Sequence, residues 1–376
     1  MRALLLFPFL TGCFLFPRAT EATGQAPQCL LESSDGYGPV GTVPVRTEIV
    51  ASGLEVPWAI AFLPGGDALV SERAGRVRLL RGGQLVAQPV ATVPVSAQSE
   101  SGLLGIAVQP QDASLFYLYV TAPGGGNRIE RWKLSQDRAT AQLDKVVFQG
   151  IASAALHDGG RIHFGPDGML YVGTGDARNP DRAQDPASPN GKILRLTPEG
   201  APADGNPSPG SPVFLSGIRN TQGFDWLDPK TLAVADHGPS GEFQRYGHDE
   251  VNVAAAGANL GWPGVYGCQM KPGWVSPIIS WVNAVPPGGL AVYRGNAIPE
   301  WKDNVLITAL GAEHLHRIVL GEGRNVKSHE VYFLQKHGRL REILLTPQGE
   351  LWMTTSNCDG RGECPAAKDL VLRILK

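Results

Sequence analysis

Short apolar runs alternate with turn residues along most of this chain, and the alternation repeats. The phrases "IAFLPGGDALVSER" from Ile60, "IAVQPQDASLFYLYVT" from Ile106, "IHFGPDGMLYVGTGD" from Ile162, "FDWLDPKTLAVADHG" from Phe224, "LAVYRGNAIPEWKDNVLITAL" from Leu290 and "ILLTPQGELWMTTSN" from Ile343 share one plan. Each is an apolar strand, a turn rich in Pro, Gly, Asp or Asn, and a second apolar strand ending in small or polar residues. After most of them comes a strand in which Arg or Lys alternates with Ile, Val or Leu, such as "GRVRLL" at Gly75, "GKILRL" at Gly191 and "DLVLRIL" at Asp369. Such alternation marks one solvated face. Six units over roughly 330 residues match the spacing of propeller blades, which take about 40 to 50 residues each plus insertions. The pattern predicts an all-β protein, a six-bladed β-propeller. No segment reads as a long amphipathic helix, which argues against a doubly wound α/β sheet.

A propeller localises chemistry, because loops at one end of its axis rim a central pocket. Residues just after the second strand of several units can meet there: Arg73, Asp176, His237 and Asn357. His157 precedes the first strand of the third unit and Asp176 follows its second, so one hairpin can bring both to the same rim. A carboxylate beside an imidazole fixes its tautomer and raises its basicity, as a general base requires. Taken alone, the pair reads more readily as a loop histidine that caps a turn.

Composition adds limits. The chain has 376 residues, 43% of them hydrophobic, and a net charge of −2, with 47 glycines and 30 prolines. There is no basic stripe or arginine-rich tail, so nucleic acid is not an expected partner. "MRALLLFPFLTGCFLFPRATEATGQA" has the layout of an export signal over residues 1–22, while Leu10-Thr11-Gly12-Cys13 resembles a lipobox, leaving a lipid anchor at Cys13 as the other processing route. An exported, periplasmic or extracellular protein is expected, and no later segment reaches the roughly 18 apolar residues of a spanning helix. In that oxidising setting Cys29, Cys268, Cys358 and Cys364 suggest two disulfides. Of three connectivities the local Cys358–Cys364 clip is favoured, leaving Cys29 for Cys268.

Several ordered motifs then carry a resemblance. "HDGGRIHFGPDGMLYVGTGD", followed by "GKILRL", "GIRNTQGF", "DHGPSGE", "DEVNV" and "NLGWP", resembles the soluble quinoprotein aldose sugar dehydrogenases, and "VPWAIAFLPGGDALVSERAGRVRLL" and "SGLLGIAVQP" fit the same family. The resemblance runs from about Thr47 to the C-terminus, so residues 47–376 form the expected catalytic domain behind an N-terminal extension, 23–46. It implies oxidation of the anomeric hydroxyl of aldoses to lactones with pyrroloquinoline quinone and calcium as cofactors, and an external electron acceptor as partner. By position, His157 matches the family's base, Asp176 the carboxylate that supports it, and Arg219 and Asn220 the pair beside the reactive carbonyl. His237 stands among the cofactor contacts. Arg339 and Arg341 match an Arg-x-Arg pair for the cofactor's carboxylates, and residues at i and i+2 on a strand point the same way. The carbonyls of Gly238 and Pro239 match calcium ligands, and Glu250 resembles part of a second, structural calcium site.

The departures are equally specific. Gly311 stands where the family often has a lysine reaching the quinone. The link between Pro239 and Asp249, "SGEFQRYGH", is longer than usual, and His237 replaces a glutamine of soluble glucose dehydrogenase, so the substrate is expected only as aldoses in general. Trp281 and Asn283 fall where a loop lines the family's pocket, though Trp281 also suits a blade core. Two other functions fit the fold: a binding propeller without cofactor, favoured by Gly311, and a lactonase-type hydrolase with a metal held by groups such as Glu72, Asp176, Asp236 and Asn357.

Overall fold

The computed structural model describes residues 28–34 and 36–376; the expected export signal and Cys13 lie outside the described residues. Six antiparallel sheets are arranged around an axis, and no described helix is long and apolar enough to cross a membrane. Their innermost strands are Pro57–Phe62, Leu103–Val108, Gly159–Phe164, Thr221–Asp228, Pro287–Val292 and Leu340–Leu345, defining blades I to VI in chain order. Each inner strand packs against the next, and blade VI returns to blade I.

Burial follows radius. Second strands such as Ala68–Glu72, Leu170–Thr174 and Leu351–Thr355 are buried along their whole length, because both sheet faces meet a neighbouring blade. The outer strand Ala141–Ile151 is largely open. Apolar side chains between blades form the core, with Trp58, Tyr117, Phe116, Phe224 and Trp301 fully buried. The ring is closed by Arg46–Leu54, which pairs antiparallel with Asp369–Leu375 and so completes blade VI from the other end of the chain. Within the described part of the N-terminal extension, Leu30–Glu32 pairs in parallel with Ile279–Trp281 as a fifth strand of blade IV. Both expected disulfides are present, Cys29–Cys268 and Cys358–Cys364.

Each inner strand shifts register near its start: Pro57/Ala59, Leu103/Ile106, Gly159/Ile162, Thr221/Gly223, Pro287/Gly289 and Leu340/Ile343. A bulge adds residues to one strand and re-aims their side chains. Here five bulges place side chains or carbonyls in a plug across the axis. Arg161 lies 4.5 Å over the Trp58 ring, pairs with Glu342, and donates to the carbonyls of Gln222 (2.8 Å) and Gly288 (3.2 Å). Arg341 stacks over the same tryptophan at 5.6 Å and donates to Gln222 Oε1 at 3.0 Å. Blades meet so closely at this level that a Cβ on Gly105 would lie 2.2 Å from the Gly160 carbonyl oxygen. The plug floors the pocket described next.

Candidate active site

A cavity of about 600 Å³ is lined by Glu100, His157, Arg178, Arg219, His237, Glu242, Arg339 and Arg361, among others. His157 and Asp176 flank the hairpin of blade III as the sequence predicts. His157 Nδ1 lies 2.8 Å from Asp176 Oδ1, and both side chains are almost wholly buried. An ionised carboxylate only accepts, so His157 carries its proton on Nδ1 and keeps the Nε2 lone pair free. The backbone serves this contact. His157 has a positive φ of 66°, its N–H donates to Glu100 Oε2 at 2.9 Å, and a Cβ on Gly175 would lie 2.0 Å from its carbonyl oxygen. The other Asp176 oxygen accepts the indole N–H of Trp262 at 2.9 Å.

Asp236, fully buried, accepts the backbone N–H groups of Arg219 (2.8 Å) and Asn220 (2.7 Å). Burial pushes its carboxyl up to about 6. It fixes the Arg219–Asn220 turn beside the base. The Arg219 guanidinium lies 5.5 Å over the Trp262 ring and donates to Glu242 Oε1 at 2.7 Å, while its Nε is buried without a partner. Asn220 accepts from Gly159 N–H (2.9 Å). His237 Nε2 lies 2.7 Å from the Pro287 carbonyl and therefore donates to it; burial depresses its pKa. Burial works against the Glu100 charge, but His237, the His157 N–H and Arg361, 3.0 Å away, hold its pKa below the usual range.

Arg339 and Arg341 differ in depth, although both bond into one cluster in which Ser356 Oγ donates to Asp359 Oδ2. Arg339 lines the cavity, with Nε bonded to Asp359 at 2.9 Å. Arg341 turns into the axial plug, bonded to Ser356 and Gln222, and burial lowers its pKa to about 10. Gly311 sits against Pro286 beside the cavity wall and supplies no cation. Arg178 and Arg361, which sequence reasoning passed over, line the cavity instead, as do Glu100 and Glu242. Trp281 is a buried blade residue, 4.9 Å edge-on to His316, and Asn283 bonds to the Ser34 carbonyl; neither lines this cavity.

The lactonase ligands do not converge. Glu72 faces Arg76 and Arg78, Asp176 faces His157 and Trp262, Asp236 caps the Arg219 turn, and Asn357 Oδ1 accepts the Arg339 N–H. No group of three or more His, Cys, Asp or Glu side chains able to hold a metal occurs among the described residues. Carbonyls are another matter. Those of Gly238 and Pro239 accept no hydrogen bond from any described residue, and Asp249 Oδ1 fixes the Gly238 N–H at 2.9 Å. Glu250 is buried and pushed up to about 8, by burial first and then by Asp236. Asn252 Oδ1 and Ser280 Oγ are buried unpartnered polar atoms, the first on the Glu250 strand and the second opposite it. Hard oxygen donors lacking a positive partner suit calcium chemically. Four arginines around one cavity, one with an orphaned N–H, likewise suit a polyanionic organic ligand.

A family model described as Glucose / Sorbosone dehydrogenase matches residues 54–372, all six blades. The chain belongs to this family. Among solved structures, the glucose/sorbosone dehydrogenase fold is shared with a candidate oxidoreductase (glucose dehydrogenase) from Thermus thermophilus, at 45% identity and TM-score 0.81 over 88% of this chain and 100% of that one. The PQQ-bound aldose sugar dehydrogenase of Streptomyces coelicolor is 35% identical, with TM-score 0.79 over 89% and 99%. An aldose sugar dehydrogenase of Escherichia coli is 28% identical over 84% of this chain and 91% of its own. This glucose/sorbosone dehydrogenase family member is thus an oxidoreductase of the sugar dehydrogenase type.

Proposed function

We propose that the protein oxidises the anomeric hydroxyl of aldoses to lactones with pyrroloquinoline quinone and calcium, and passes the electrons to an external acceptor. The observation that carries this is the His157 imidazole, oriented by Asp176 at 2.8 Å, in an arginine-lined cavity. Arg339, Arg178 and Arg361, with His237, would hold the tricarboxylate; Arg219 and Asn220 would stand beside the reactive carbonyl, and Arg341 would act from beneath. The Gly238 and Pro239 carbonyls would hold a calcium ion at the cofactor, and Glu250 a structural one. Bound there, the quinone supplies the two-electron acceptor for the C1 hydrogen of the sugar.

The chain's own groups do the rest. His157 Nε2 takes the proton of the anomeric hydroxyl as the C1–H bond breaks, contributing about 10²–10⁴-fold. Asp176 holds the tautomer and stabilises the imidazolium that results. The buried Arg219 guanidinium would stand where negative charge develops. A pure binding propeller has no use for a buried His–Asp pair, and the arginines of blades III and VI offset the missing cation at Gly311. We also propose export to the periplasm or exterior, supported by the N-terminal layout and two disulfides.

The test adds pyrroloquinoline quinone and calcium to purified apo-protein and follows dye reduction with several aldoses. Activity that needs both additions is expected. Absence of quinone binding would overturn the reading.

A further inference from the structure

The base faces an unexpected neighbour. Glu242 Oε1 lies 3.6 Å from His157 Nε2 and 2.7 Å from Arg219 Nη2, so one carboxylate bridges the two groups assigned to the reacting sugar and cofactor. Its other oxygen, Oε2, accepts the Ser240 N–H at 2.7 Å. Nothing in the aldose reaction calls for an acidic side chain at that point.

Glu242 arrives on the long link between Pro239 and Asp249. The neck of this loop is closed, since Asp249 binds the Gly238 N–H with one oxygen and the Val285 N–H with the other. Above the neck the loop satisfies itself: Ser240 bridges to Tyr246, and the Gly241 N–H donates to the Arg245 carbonyl. Phe243, Gln244 and His248 all have positive φ (54°, 61° and 62°), which is costly for residues other than glycine. Phe243 and Tyr246 are 61% and 69% exposed, so the loop buries little apolar surface in return. Beside the neck the His248 N–H donates to the Trp281 carbonyl at 2.7 Å and its ring meets Tyr266 edge-on; above it the holds on the body are the Glu242–Arg219 pair, Arg245 stacked 4.5 Å over Tyr266, a long Arg245–Pro263 bond of 3.4 Å and a loose Phe243–Trp262 contact. Only the Glu242–Arg219 pair is short and charge-assisted.

We propose that the 240–248 loop is a latch: Glu242 occupies the anion seat beside His157 and must leave before an anionic cofactor can use Arg219. This rests on the quinoprotein reading above. The cofactor's reactive carbonyl oxygen and the Glu242 carboxylate would compete for one guanidinium, and the Glu242 charge repels a trianion entering the cavity. Loading is thereby coupled to a swing of residues 240–246 above the neck, where Asp249 and the His248 N–H stay fixed.

Two measurements on the full-length apo-protein test the latch, comparing wild type with Glu242→Gln. Pyrroloquinoline quinone binding with calcium present, followed by tryptophan quenching, should be at least fivefold tighter in the variant. Tryptic cleavage after Arg245 without quinone should be several-fold faster, since cleavage tracks the open population when opening is rapid. Equal or weaker quinone binding, or an unchanged cleavage rate, overturns the latch while the functional reading stands. Failure of both proteins to bind quinone overturns the functional reading, and the cleavage rates still decide whether Glu242 holds the loop. Glu242→Asp, which keeps the charge on a shorter arm, should fall between the two in both assays.

Discussion

The indole N–H of Trp262 donates to Asp176 Oδ2 over 2.9 Å from 86 residues further along the chain. Blade III supplies the base and its carboxylate, and a loop of blade IV locks that carboxylate in place. Trp262→Phe keeps the ring under Arg219 but frees Asp176 to rotate. It should lower kcat about 3- to 10-fold with little change in KM, against about 10²–10⁴-fold for His157→Gln. Steady-state kinetics of the two reconstituted variants separate positioning from proton transfer.

Arg339 and Arg341 should part company. Arg339→Ala removes a cation from the cavity and should weaken quinone binding about tenfold or more, the worth of a charged hydrogen bond. Arg341→Ala leaves Gln222 and Ser356 without their donor inside the plug. Its main effect should be a lower Tm, by isothermal binding and thermal melts of both variants.

The legible and illegible parts of the sequence divide along the same line. Inner strands could be recognised because burial on both faces demands continuous apolar runs, and His157 and Asp176 because a hairpin joins them. The depth of Arg341 was not legible, because strand alternation assumes an unbroken period and takes no account of the bulge after Leu340. Glu100, Arg178, Arg361 and Trp262 come from loops of different blades; their convergence depends on the closed ring, which no local pattern encodes. Trp281 sat near the expected pocket in sequence, yet its strand belongs to the blade core. Glu242 was within reach, since the unusual length of the Pro239–Asp249 link marked the loop that carries it.

Acid should weaken the fold through His163. Its half-buried ring meets Phe224 edge-on at 5.3 Å, and loss of hydration, with Arg161 adding to it, lowers its pKa to about 3. The folded value lies below the unfolded one, near 6.5, so the native state resists protonation. The related stability is complete above about pH 6.5 and is lost as pH falls toward 3. At pH 5 the loss is about 2 kcal/mol at most, at about 1.4 kcal/mol per unit. His163→Leu should show a smaller drop in denaturant midpoint between pH 7 and pH 5 than wild type.

The two disulfides should contribute unequally. Cys29–Cys268 spans a separation of 239 residues and Cys358–Cys364 only 6. Loop-closure entropy assigns about 5.5 kcal/mol to the first and about 2 kcal/mol to the second. Replacing Cys29 and Cys268 by serine should depress Tm more than replacing Cys358 and Cys364, as calorimetry of the two double variants would show.

Rapid mixing of calcium-replete, quinone-loaded protein with an aldose, read by the absorbance of the bound cofactor, tests the central claim most directly. Reduction in a single exponential phase is expected in wild type, slowed at least 10²-fold in His157→Gln while quinone affinity stays the same. Equal rates in the two proteins, or no reduction by any aldose despite bound quinone, would contradict it.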